Sequence, residues 1–175
     1  NAFPEAQESD HVIVGVDHRL SNGLALRAEW FRKFQRDPRP RFENLLDPLT
    51  VLPEIGPDRV EVAPNSASLR GAEISVVAEG TDLAWWAGFA WSAAEDGLDG
   101  VRVPRSWDQF WSVTAGIDWV RGDWRFGAVA TTHRGWPTTL IEDSELGERN
   151  EERFGTRAAL DLRAEYRRPL AVGSL

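Results

Sequence analysis

The chain has 175 residues, a net charge of −8, no Cys and no Met, and 9 Trp against 1 Tyr. Such a length allows one domain, and the missing cysteines exclude disulfides, thiolate metal sites and thiol nucleophiles. The acidic balance argues against nucleic acid, which needs a basic face, and no apolar run reaches the ~20 residues of a membrane helix.

Helical periodicity is nearly absent. Alternation with a period of two occurs seven times and predicts strands at about 11–20, 24–34, 69–79, 83–93, 109–120, 124–133 and 157–168. The first alternates Val12, Val14 and Val16 against Ile13, Gly15 and Asp17. The second sets Leu24, Leu26, Ala28 and Trp30 against Arg27, Glu29 and Phe31. Ala72, Ile74, Val76 and Ala78 form the apolar side of the third. Trp85, Ala87, Phe89 and Trp91 do so in the fourth, and Trp111, Val113, Ala115, Ile117 and Trp119 in the fifth. In the sixth and seventh the apolar sides are Trp124, Phe126, Ala128 and Ala130, then Leu160, Leu162, Ala164 and Tyr166.

Each run has about the 9–11 residues that a tilted strand needs to cross a bilayer, where strands of soluble proteins average about 5–6. The connections alternate in length. Ser21-Asn22-Gly23, Gly80-Thr81-Asp82, Arg121-Gly122-Asp123 and Ala171-Val172-Gly173-Ser174 are tight turns. Residues 35–68, 94–108 and 134–156 are long and carry most of the prolines. Short turns on one rim and long loops on the other predict an antiparallel, up-and-down transmembrane β-barrel.

The two faces differ. Trp85, Trp119, Trp124 and Tyr166 lie near the short-turn rim, and Trp30, Trp91 and Trp111 near the long-loop rim, with aliphatic residues between. This is the aromatic girdle expected of a face in lipid. The opposite face carries Asp17, Arg27, Glu29, Glu73, Asp118, Arg125, His133, Asp161, Arg163 and Glu165, the expected lumen-facing polar residues. Seven strands is an odd number, and bacterial single-chain barrels use even ones. Residues 1–175 therefore read as one partial barrel domain. Asn1-Ala2-Phe3-Pro4-Glu5 is not a signal peptide.

Two other readings use the same alternation. A soluble ligand-binding β-barrel would turn the apolar face inward. An outer-membrane barrel enzyme would need a cluster at the lumen mouth, for instance around His133 or Asp161. His11, His18 and His133 fall on separate runs without metal-ligand spacing, and Ser106 and Ser144 have no nucleophile-elbow pattern. No catalytic, cofactor or metal site is expected. The acidic stretch from Glu142 to Arg153 reads as a solvated loop, or as one that binds divalent cations or ligand. The loop over 35–68 contains Leu45, Leu46, Leu49, Val51, Leu52 and Ile55 and is the expected place of ligand contact.

Several segments carry a resemblance. Leu26-Arg27-Ala28-Glu29-Trp30-Phe31-Arg32-Lys33, Pro38-Arg39-Pro40-Arg41-Phe42-Glu43-Asn44-Leu45-Leu46-Asp47-Pro48 and Pro53-Glu54 with Pro57-Asp58-Arg59-Val60 resemble the barrel domain of TonB-dependent outer-membrane receptors. So do Gly71-Ala72-Glu73 at a strand start, Pro104-Arg105-Ser106-Trp107-Asp108-Gln109 before a late strand, and Arg134-Gly135-Trp136-Pro137-Thr138-Thr139 after another. The resemblance implies a barrel of about 22 strands with a plugged lumen, in the bacterial outer membrane. It implies energised uptake of a scarce solute such as siderophore-iron, cobalamin or an oligosaccharide. The implied partners are outer-membrane lipid and lipopolysaccharide, the solute, and a TonB-type energy-coupling protein. That protein would act through a plug domain that these residues do not include.

Overall fold

The computed structural model describes residues 7–20, 23–44, 52, 56–142 and 145–168, with the backbone alone for 141, 142, 145 and 146. The described residues form strands and irregular connections, with no helix. Seven long strands follow one another in an antiparallel meander: β1 (Glu8–Arg19), β2 (Leu24–Arg36), β5 (Ser66–Glu79), β6 (Leu83–Leu98), β8 (Trp111–Arg121), β9 (Trp124–His133) and β14 (Arg157–Tyr166). All seven sequence-predicted strands are present, shifted at their ends by a few residues.

The tight turns lie where the Gly and Asp residues put them. Gly122 opens a two-residue turn with φ 60°, and Gly23 takes φ 75° ahead of β2, conformations that cost glycine little. The Gly80 N–H donates to the Leu83 carbonyl at 3.0 Å, closing the β5–β6 turn. Ser21, Asn22 and the turn at 171–174 lie outside the described residues, as do Leu45, Leu46, Leu49, Val51, Ile55 and Ser144 of the loops.

The long connections are not the plain loops that the sequence suggests. They contain short hairpins: β3 (Arg41–Asn44) with β4 (Arg59–Val62), β10 (Pro137–Thr138) with β13 (Glu152–Arg153), and β11 (Ile141–Glu142) with β12 (Glu145–Leu146). β6 runs on to Leu98 and turns back into β7 (Val101–Pro104). Glu95 and Asp96 break the apolar alternation there, so side-chain pattern gives no sign of a strand. Backbone pairing and the Asp99-Gly100 turn, with φ 49° and 85°, hold it instead.

The sheet is a single layer. The buried apolar residues among those described are Val62, Ala67, Ala93 and Ala94. Ala67, Ala93 and Ala94 lie at the long-connection end of β5 and β6, and Val62 lies in the hairpin of that end. Elsewhere large apolar side chains are open: Val14 is 62% exposed, Ile74 50%, Leu160 64% and Leu162 75%. An apolar surface of that extent, left open by the described residues, marks a face that meets another apolar partner.

Candidate functional site

Register fixes which residues share a face. Across one set of rows, Trp30 pairs with Ala72, Ala72 with Trp91 and Trp91 with Trp111. Near the other end Leu83 pairs with Trp119, Trp119 with Phe126 and Trp124 with Tyr166. Trp85, two residues in from Leu83 on β6, shares that face. All seven expected girdle residues therefore stand on one side of the sheet, in two bands. The lower band is a contact cluster, with Trp119 5.8 Å from Phe126 and Trp124 4.9 Å from Tyr166, ring centre to ring centre. Along β6 eight residues separate Trp91 from Leu83, about 26 Å of strand and about 20 Å of height at ordinary tilt. An aliphatic belt of that height suits a bilayer core.

All ten expected polar residues stand on the other side. The structure joins some of them. Arg27 donates to Glu29 at 3.0 Å and lies 3.9 Å from Asp17. Arg125 grips both carboxylate oxygens of Asp118 at 2.8–3.0 Å. Arg163 donates to Glu165 at 2.6 Å. His133 donates through Nδ1 to the Arg134 carbonyl at 2.9 Å. Glu73 sits directly across from Glu29, and neither Glu73 nor Asp161 forms an ion pair among the described residues. Seven of the ten thus form three separate ion-paired groups along a polar wall, and the ten do not converge on one point. Among the described residues no three His, Cys, Asp or Glu side chains are placed to hold a metal ion.

A second cluster was not visible in the sequence. At the long-connection end, the polar face is covered by charged side chains from all three long connections. The Glu43 carboxylate accepts from Arg41 Nε and Ser106 Oγ, each at 2.6 Å, and from Arg149. The fully buried Asp96 accepts from Arg41 and from Arg105 Nε, the latter at 2.9 Å. Asp108 accepts from the Ala94 N–H at 2.8 Å and from Arg153. Asn150 Nδ2 donates to the Pro104 carbonyl at 2.7 Å and to Ser106 Oγ at 3.2 Å. Arg41 and Arg105 flank the Trp107 ring at 5.1 and 5.4 Å.

Four guanidiniums face three carboxylates, so the layer is close to charge balance. Burial alone pushes the Glu43 carboxyl up, but the Ser106 hydroxyl and the Arg149 and Arg41 guanidiniums outweigh it and hold it below the ordinary carboxylate range. Burial opposes the Arg41 charge likewise, and Asp96 and Glu43 more than restore it. Asn44 Oδ1 and Arg149 Nη1 are buried without a protein partner, beside a cavity of about 10 Å³. That space fits no group larger than about one water, so the layer is a clamp on the loops and not a pocket. The expectation that Glu142 to Arg153 is a solvated loop is corrected at three residues: Asn150 is buried and Arg149 and Arg153 are clamp residues, while Glu148, Glu151 and Glu152 are exposed. Ser106 is 3% exposed and hydrogen-bonded within the clamp. The sequence signal was faint: arginines and acids spread over three connections, brought together only by the hairpins.

The fold is that of a piece of an outer-membrane β-barrel wall. It is similar to a solved copper transporter, OprC, with a TM-score of 0.64 and 13% identity over 93% of this chain. It is also similar to the FrpB iron transporter from Neisseria meningitidis, with a TM-score of 0.59 and 11% identity over the same share. These structures are TonB-dependent transporters of the outer membrane of Gram-negative bacteria, so the family resemblance read from the sequence is met at the level of fold. The chain spans 23% and 25% of their lengths. No family model and no curated protein sequence matches the chain.

Proposed function

We propose that this chain is part of the wall of an energised outer-membrane receptor that takes up a scarce solute. One observation carries the reading: a single-layer sheet presents a wide aliphatic face between two aromatic bands, and an ion-paired face on its other side. Hydrocarbon covers the first face and a wet lumen receives the second. The clamp folds the long connections onto the lumen side, where they meet solute from outside the cell. Energy coupling runs through a plug and a TonB-type partner. The similar structures are named for copper and iron, which supports testing a copper- or iron-bearing solute before cobalamin or an oligosaccharide. The wall is not an enzyme in this reading: its acids are spaced out along the strands and Ser106 is spent on Glu43.

Cell fractionation of the full-length protein tests this directly. It should sediment with outer membranes and leave them only in detergent, and a strain lacking it should lose uptake of the solute under scarcity. Recovery of the full-length protein in the aqueous fraction would overturn the proposal in favour of a soluble barrel.

A further inference from the structure

On the apolar face, just beyond the upper aromatic band, two like charges meet. Arg32 on β2 stands directly across from Arg70 on β5, and both are exposed. Like charges set opposite each other repel. Neither guanidinium has a hydrogen bond, ion pair or ring contact among the described residues. Their neighbours show that this is not the habit of the face: Arg36, further along β2, is held by Glu8 and Asp10 at 3.2 and 3.5 Å.

The position is informative as well. Arg32 and Arg70 lie one alternate residue beyond Trp30 and Ala72, just outside the upper aromatic band on the long-connection side. They line a groove of about 420 Å³ whose other walls include Trp30, Trp91, Phe34 and Ser68. At one end Arg102 reaches Glu95 at 3.5 Å. The groove thus offers two guanidiniums that form no ion pair among the described residues, with indole surface below them and the Phe34 ring above.

We propose that this groove binds the phosphate headgroup of a membrane amphiphile, with the phosphate between Arg32 and Arg70 and the apolar part against Trp30 and Trp91. Guanidinium forks match the tetrahedral oxygens of phosphate and give charge-assisted bonds. An anion between them converts the cross-strand repulsion into two attractions. The aromatic band marks the level of the headgroups, so a lipid phosphate arrives at this height without leaving its leaflet. The inference rests on the proposed outward direction of the aliphatic face.

The test uses the full-length protein purified in uncharged detergent. Lipid retention is read by native mass spectrometry with phosphatidic acid as probe, diacylglycerol as the same tails without phosphate, and inorganic phosphate as the free anion. Phosphatidic acid should be retained and diacylglycerol should not. The Arg32→Gln/Arg70→Gln double variant should lose retention at least about tenfold, while Arg36→Gln, on the same face but already paired, should keep it. The double variant removes only exposed charges that repel, so its thermal unfolding should match or exceed that of the native protein. Equal retention by the native protein and the double variant overturns the site, as does displacement of phosphatidic acid by inorganic phosphate at equal concentration. Loss of the site in a protein still found in the outer membrane refutes the groove alone and leaves the receptor reading intact.

Discussion

Asp96 shows how much a single carboxylate holds in this chain. Its side chain is fully buried and receives Arg41 and Arg105, which come from two different long connections. Removing one partner of a buried ion pair leaves the other charge uncompensated, at a cost of roughly 3–5 kcal/mol. Asp96→Ala should therefore lower the opening free energy of the long connections by about that amount, read by hydrogen exchange over residues 101–108. Asp118→Ala, which removes a half-exposed pair in the wall, should leave that exchange unchanged. Glu43 adds a pH signature. Its carboxyl is held below its ordinary value, so its stabilisation is complete above the unfolded pKa of about 4.3 and is lost as pH falls through the folded value. The stability difference between the native protein and Glu43→Gln should shrink on acidification below about pH 4. A difference that stays constant across that range would show that Glu43 does not titrate as the clamp requires.

At the scale of the strand, neighbouring residues on β6 meet different surroundings. Ala87 lies on the aliphatic face between Val76 and Ala115, and Gly88 on the polar face between Ser75 and Thr114. A Cβ at Gly88 would meet only ordinary contacts, at 3.9 and 4.0 Å. Ala87→Arg should cost roughly 2–4 kcal/mol in a bilayer, the penalty for arginine near mid-membrane. Gly88→Arg at the same depth should cost much less. Unfolding of both variants in lipid vesicles gives the comparison, and equal costs would reverse or abolish the assignment of faces.

For the molecule as a whole, the question is what replaces a core. A soluble sheet buries one face under a second layer; among the described residues this one has a second layer only at its long-connection end. There the layer is built of ions and amides, and its few apolar residues are small, apart from Val62. Between the aromatic bands Ile74, Ile117 and Leu162 are left open by the described residues. In the proposed receptor, closure with further strands and a surrounding bilayer would supply the missing contacts without any change in the sheet.

The seven long strands, the tight turns at 80–82 and 121–123 and the partition into two faces were legible in the sequence, because they depend on local quantities. Alternation sets side-chain direction at each residue, and Gly, Asn and Asp mark where the chain can reverse. The clamp was not legible. Arg41, Glu43, Asp96, Ser106, Asp108, Arg149, Asn150 and Arg153 look like ordinary loop residues until hairpins bring three distant connections onto the same end of the sheet. The unpaired Arg32 and Arg70 were invisible for the same reason, since only register places them side by side. Which residues face together was decided by period along the chain; which charges are buried, paired or left unpaired was decided by tertiary structure, because an ion's partner is fixed by distance in space and not by spacing in sequence.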